Sequence, residues 1–153
     1  MTAAVVAPRV RSFLDLHCHS AASFDSVAST QALMAKARRI GLTHLAITDH
    51  ERVDGALRAR DAAPDDLAVI VGEEVRSADG DLIGLYLERA VPPGLSAAET
   101  AAAIRDQGGI VGLPHPFDRY RSSGGSREEA RRGLGCARLG GGLRGGPQRP
   151  RVS

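Results

Sequence analysis

The stretch Thr30-Gln-Ala-Leu33-Met34-Ala-Lys-Ala37-Arg-Arg-Ile40-Gly41-Leu-Thr-His44-Leu45-Ala46-Ile47-Thr48-Asp49-His50 contains a helix, its stop signal, a strand and a polar pair at the strand's exit. Apolar Leu33, Met34, Ala37 and Ile40 recur at i, i+1, i+4 and i+7, the spacing of one helix face, which predicts a helix over Thr30–Ile40. Gly41 stands just past its end, where a left-handed cap is easiest without a Cβ. The run Leu45-Ala46-Ile47 then predicts a buried strand over His44–Thr48. A carboxylate and an imidazole at the mouth of such a strand need partners, because unpaired burial is costly.

Strand and helix signals continue outward in both directions. Phe13–His17 reads as a short strand, Gly55–Ala63 as a helix stopped by Pro64, and Leu67–Val71 and Leu82–Leu87 as strands. Ser96-Ala-Ala-Glu99 is a capping box that opens a helix to Gln107, and Gly109–Leu113 is a last strand. Strands alternating with helices predict an α/β fold with a largely parallel sheet, and no internal repeat is present.

At 153 residues one domain is expected. Aromatics are 3% of the chain and Trp is absent, so the core is expected to be Ala, Val, Leu and Ile. No apolar run approaches the roughly 20 residues that span a bilayer. The first residues place arginine after the apolar patch, the wrong order for a secretory signal. Two cysteines, Cys18 and Cys136, make no disulfide framework, and a cytoplasmic location is expected. The net charge of +2 hides an asymmetry: residues 1–118 hold 11 Lys+Arg against 16 Asp+Glu, while residues 119–153 hold nine Arg against two Glu.

Strand exits carry the chemistry. The first ends in His17-Cys18-His19, the second in Thr48-Asp49-His50, the third in Gly72-Glu73-Glu74 and the last in Pro114-His115-Pro116. In parallel α/β barrels these ends form one face, where active sites sit. His17 and His19 at i and i+2 point the same way and can converge on one ion, with Cys18 turned away as a small buried residue. Asp49 either caps the next helix or holds a ligand imidazole by its second nitrogen. Of Glu73 and Glu74, only one can face the site in extended backbone, and a carboxylate can bridge two metals. His115 lies between two prolines, which suits a rigid ligand or a structural turn, and His44 reads as structural.

In order and content, Asp15-Leu16-His17-Cys18-His19-Ser20, Ala46-Ile47-Thr48-Asp49-His50, Val71-Gly72-Glu73-Glu74 and Pro114-His115-Pro116 resemble the PHP family, named for polymerase and histidinol phosphatase domains. The resemblance covers about residues 12–118. It implies a distorted (βα)7 barrel, two or three zinc, manganese or iron ions, and hydrolysis of phosphoesters. Carried onto this sequence, it implies that His17 and His19 bind a first metal and that Glu74 bridges the first and second. His115 would bind the second, and His50 with Asp25 a third. Asp49 would be the catalytic, proton-handling residue or a support to the ligands. The substrate class would be a phosphorylated small molecule, nucleotide or oligonucleotide.

The resemblance further implies a later Ser-Asp-x-His ligand segment, yet no His follows His115 and no Asp follows Asp118. The expected organisation is therefore an extension over residues 1–11, the N-terminal portion of a PHP domain over 12–121, and a disordered Gly/Arg-rich tail over 122–153. The tail reads as a flexible linker, an Arg/Gly nucleic-acid-binding segment, or out-of-frame translation of GC-rich DNA. The third is favoured because the tail starts where a family member is still in mid-barrel. A metal-dependent phosphoesterase, truncated and of reduced or no activity, is the leading expectation. An inactive metal-binding remnant and a tail-dependent nucleic-acid binder are the rivals.

Overall fold

A computed structural model describes residues 11–116. The expectations for the N-terminal extension and for the tail lie outside the described residues. Eight elements follow in chain order: β1 (Leu14–Cys18), α1 (Thr30–Arg39), β2 (His44–Ile47), α2 (Asp54–Asp61), β3 (Ala68–Ser77), β4 (Gly80–Leu85), α3 (Ala97–Arg105) and β5 (Ile110–Gly112). The strands form one curled sheet in the order β1-β2-β3-β4-β5, an open half-barrel.

The sheet corrects the expectation of a largely parallel arrangement. β1, β2 and β3 are parallel, joined by α1 and α2 as crossovers, but β3–β4 and β4–β5 are antiparallel. The cause is a tight turn at Ala78-Asp79, with Ser77 paired to Gly80, which folds β4 straight back onto β3. Two reversals cancel, so the C-terminal end of β5 returns to the edge where β1 and β2 end. β3 also runs past Val71, where the sequence predicts its end. Gly72 permits this because a Cβ there would stand 2.8 Å from Thr48 Cγ2 and 2.9 Å from the Gly84 carbonyl.

The helices cover one face of the sheet. Met34, Ala37, Leu45, Ile47, Ala56, Ala59, Val71, Val75 and Ile104 form the main core, built from small and branched side chains as the composition predicts. Full burial of one Ile such as Ile47 or Ile104 contributes about 2–3 kcal/mol. Ile40, expected on the apolar stripe of α1, is instead exposed at the C-cap. Alternate residues Ala46, Ile70, Ile83 and Leu85 form a smaller cluster on the opposite, concave face. The ends are specified locally: Ser29 accepts a hydrogen bond from the Ala32 amide, Gly41 takes φ +83°, and Ser96 with Glu99 completes the capping box. No helix among the described residues is long and apolar enough to cross a membrane.

Candidate metal centre

The sheet delivers four imidazoles and one buried carboxylate to a single point. β1 carries His17 and hands the chain on to His19. β2 continues past its end into an isolated parallel bridge between His50 and Glu74. Glu74 N–H donates to the Asp49 carbonyl at 3.2 Å and Glu51 N–H donates to the Glu74 carbonyl at 3.1 Å, which fixes that register. Glu74 therefore sits inside β3 and not at its end. Glu73 faces the other way, as strand alternation requires. Past β5, His115 adopts φ +27°, a strained conformation for a non-glycine residue, and turns its ring toward the same carboxylate.

Glu74 is 1% exposed. Its Oε2 lies 3.0 Å from His17 Nε2, 2.9 Å from His19 Nε2 and 3.7 Å from His50 Nε2. Its Oε1 lies 3.5 Å from His115 Nε2. The two carboxylate oxygens thus face two different sets of imidazoles. Ring centroids stand 5.1 Å apart for His17 and His19, 6.1 Å for His17 and His115, and 4.6 Å for His19 and His50.

Asp25 enters from the loop after β1. That loop is held by Ala21 N–H donating to the Ala28 carbonyl at 2.7 Å and by Ser26 Oγ donating to the His19 carbonyl at 2.9 Å. Asp25 Oδ2 is 2.7 Å from His19 Nδ1 and 3.5 Å from His50 Nε2. The Asp25 contact at Nδ1 orients the His19 ring so that Nε2 faces His17 and Glu74. Asp49, expected to cap the next helix, to handle protons or to support the ligands, does not cap α2, whose N-cap is Val53. It is fully buried, and its Oδ1 and Oδ2 accept hydrogen bonds from the Ser20 amide at 2.6 Å and the Ser20 hydroxyl at 2.7 Å. It reaches the centre through Ser20 and His19, and not by contact. Within the described residues, the carboxylate on an imidazole's second nitrogen is Asp25.

The electrostatics follow from this crowding. Burial alone would raise Glu74, but hydrogen bonds from His17 and His19 hold its carboxyl well below the usual range. The Glu74 hydrogen bond raises His19 against the opposing effect of burial, with Asp25 adding to it. Cys18 donates its thiol to the Ala46 carbonyl at 3.2 Å, and burial, then Asp15 and Asp49, push its pKa to about 12. It packs against the main core but is only partly buried, where the sequence predicts a buried residue, and its raised pKa makes it unreactive.

The donor set fits a cation. His17 Nε2 and His19 Nε2 are 3.1 Å apart, and both face Glu74 Oε2. His19 faces Asp25 with Nδ1 and Glu74 with Nε2, and a neutral imidazole has one N–H for these two carboxylate oxygens, so a second proton or a cation at Nε2 is needed to satisfy both. Ligand atoms about 2.0–2.2 Å from one tetrahedral ion stand roughly 3–3.5 Å from each other. His17, His19 and Glu74 have that spacing, and the ligand atoms of His19, Asp25 and His50 form a second, looser group within 4.8 Å of one another.

A family model for the PHP domain matches residues 15–122, which includes every residue of this centre. The chain belongs to the PHP domain family. An uncharacterised protein of Methanocaldococcus jannaschii is 32% identical over 124 residues, covering 74% of this chain and 72% of that protein. The error-prone DNA polymerase of Mycobacterium tuberculosis is 32% identical over 138 residues, which is 89% of this chain and 10% of the polymerase. A 5'-3' exoribonuclease of Haemophilus influenzae is 29% identical over 117 residues, covering 68% of this chain and 42% of the enzyme. The chain spans 72% of the first of these proteins and less than half of the other two.

The structure brings His17, His19, Asp25, His50, Glu74 and His115 together, and among the described residues three neighbours carry no expectation from the sequence. Ser20 is the partner of Asp49, while Arg76 and Asp81 face each other across the β3–β4 hairpin. The Asp79-Gly80 dipeptide is a hairpin signal that would have exposed the Arg76–Asp81 pair.

Proposed function

We propose that this chain hydrolyses phosphate esters with divalent metal ions, zinc, manganese or iron, held at the His17–His19–Glu74 centre. The observation that carries the reading is the Glu74 carboxylate, whose Oε2 faces His17 and His19 while Oε1 faces His115. A carboxylate so placed suits a bridge between two ions. His17, His19 and Glu74 would hold the first ion, Glu74 and His115 the second, and His50 with Asp25 a third. Mixed imidazole and carboxylate donors favour zinc, manganese or iron over magnesium alone. When bound, such ions supply Lewis acidity to a phosphoryl oxygen and to the attacking water.

The protein's own contribution is placement. Asp25 orients the His19 ring, the Asp49–Ser20 clasp fixes the loop behind it, and the His50–Glu74 bridge fixes two strands in register. Membership of the PHP family supports hydrolysis. The names of two relatives, a DNA polymerase and an exoribonuclease, favour a nucleotide or oligonucleotide over other phosphate esters.

The test is turnover of an aryl phosphate by the purified chain loaded with manganese or zinc. Turnover is expected to vanish in His17→Ala and to persist in His44→Ala, whose ring bonds Thr43 at the far end of β2. A metal-loaded chain without turnover, or equal turnover in His17→Ala, would overturn the reading.

A further inference from the structure

Beside the imidazoles lies a cavity of about 570 Å³, whose walls include Phe24, His50, Glu74, Arg76, Asp81 and His115. That size suits a small organic ligand. Phe24, Arg76 and Asp81 are not among the residues assigned above to the ions, although Asp81 lies close enough to feel the charges of Glu74, His50 and His115, and each departs from what an ordinary surface would show.

Phe24 is 81% exposed, and its ring lies nearly parallel to His50, 4.9 Å away with an interplanar angle of 23°. An aromatic ring stacked on one face by a site imidazole has its second face available to another planar group. Asp81 is 8% exposed, and its Oδ1 has no hydrogen-bond partner among the described residues. A buried carboxylate oxygen without a donor is costly unless a ligand supplies one. Arg76 stands opposite Asp81 in the hairpin, but its Nε is 3.8 Å from Asp81 Oδ1, beyond hydrogen-bond range, and its side chain is 64% exposed. It follows Glu74 by two residues on the same face of β3, roughly 6.6 Å along the strand. Its planar donors can therefore reach a phosphoryl group held beside Glu74.

We propose that this cavity is the leaving-group subsite and that it selects a nucleoside, with the base on Phe24, a sugar hydroxyl donating to Asp81 Oδ1, and Arg76 on a phosphoryl oxygen. The position of the scissile phosphate rests on the phosphoesterase reading, whereas nucleotide recognition by these residues does not. Base stacking tolerates any base, because every base has a π-face, so Phe24 confers preference for a base without choosing among them.

The test is equilibrium binding, by calorimetry, of adenosine monophosphate, ribose 5-phosphate and inorganic phosphate to the manganese-loaded chain. Phe24→Ala should weaken the nucleotide about tenfold or more and leave ribose 5-phosphate unchanged. Asp81→Asn should weaken both sugar-containing ligands and leave inorganic phosphate unchanged. Arg76→Gln should weaken all three. Because Phe24 is exposed, its replacement leaves the fold intact, and Phe24→Leu checks that the loss follows the ring. Unchanged nucleotide affinity in Phe24→Ala and Asp81→Asn, or an equal loss for inorganic phosphate, overturns the proposal. If nucleotide affinity follows Phe24 and Asp81 while no phosphate ester is turned over, the subsite stands and the phosphoesterase reading falls. Turnover with nucleotide affinity indifferent to both residues is the converse.

Discussion

Asp49 holds Ser20 at two points, accepting its backbone amide at 2.6 Å and its hydroxyl at 2.7 Å, and so ties the exit of β2 to the residue that follows His19. Gly55 seals this clasp from behind, since a Cβ there would stand 2.6 Å from Asp49 Oδ2, 2.9 Å from Ala22 Cβ and 3.1 Å from Ser20 Oγ.

Asp49→Ala should lower unfolding free energy by about 1.5–3 kcal/mol, because the buried Ser20 amide loses a charged acceptor. Gly55→Ala should cost about 1–3 kcal/mol through overpacking against the same carboxylate. Both should weaken metal binding, since His19 moves with Ser20. Urea unfolding together with a metal titration checks this. A chain as stable as wild type in both variants would show that the clasp contributes nothing.

Metal content separates the centre from its surroundings. His17→Ala and Glu74→Ala should each bind less zinc or manganese than wild type, while His44→Ala should match wild type. Elemental analysis after dialysis gives the result, and equal content in all four proteins would rule out the assignment.

Asp25→Asn addresses the support for His19. The amide keeps the shape but removes the charge that holds the Nδ1 proton, and loss of such a partner weakens a metal site by about 10- to 100-fold. Competition with a chromophoric chelator measures it. An unchanged affinity would mean that the 2.7 Å contact with His19 does not tune the ring.

Glu73 predicts a pH dependence. It is fully buried, with Oε2 accepting the Val91 amide at 2.8 Å and Oε1 without a partner among the described residues. Desolvation raises its pKa from 4.5 to about 7, opposed by the Val91 amide and assisted by Glu51. A group whose folded pKa lies above its unfolded value contributes stability that is fully present below the unfolded pKa and is lost as pH rises through the folded one. Relative to Glu73→Gln, wild type should therefore lose up to about 3 kcal/mol between pH 4.5 and pH 8. Paired urea denaturation curves across that interval read the difference directly, and a difference that stays flat would contradict the burial argument.

Much of the fold was legible in local sequence because its signals are local. The Leu33, Met34 and Ala37 spacing of α1, the cap at Gly41, the Ser96–Glu99 box and the apolar strand run ending at Asp49-His50 each depend on neighbours a few residues away. The ligand-type residues were legible for a related reason, since strand alternation alone puts His17 and His19 on one side and separates Glu74 from Glu73. The tertiary structure decided what depends on distant partners. The reversal of β4 and β5 came from a turn closing on strand pairing, and the length of β3 came from the close approach at Gly72. That Asp49 would hold Ser20 while Asp25 holds His19 was equally out of reach. Either carboxylate can bond an imidazole, and only the path of the loop between Ser20 and Ala28 puts one within 2.7 Å of the ring and keeps the other behind it.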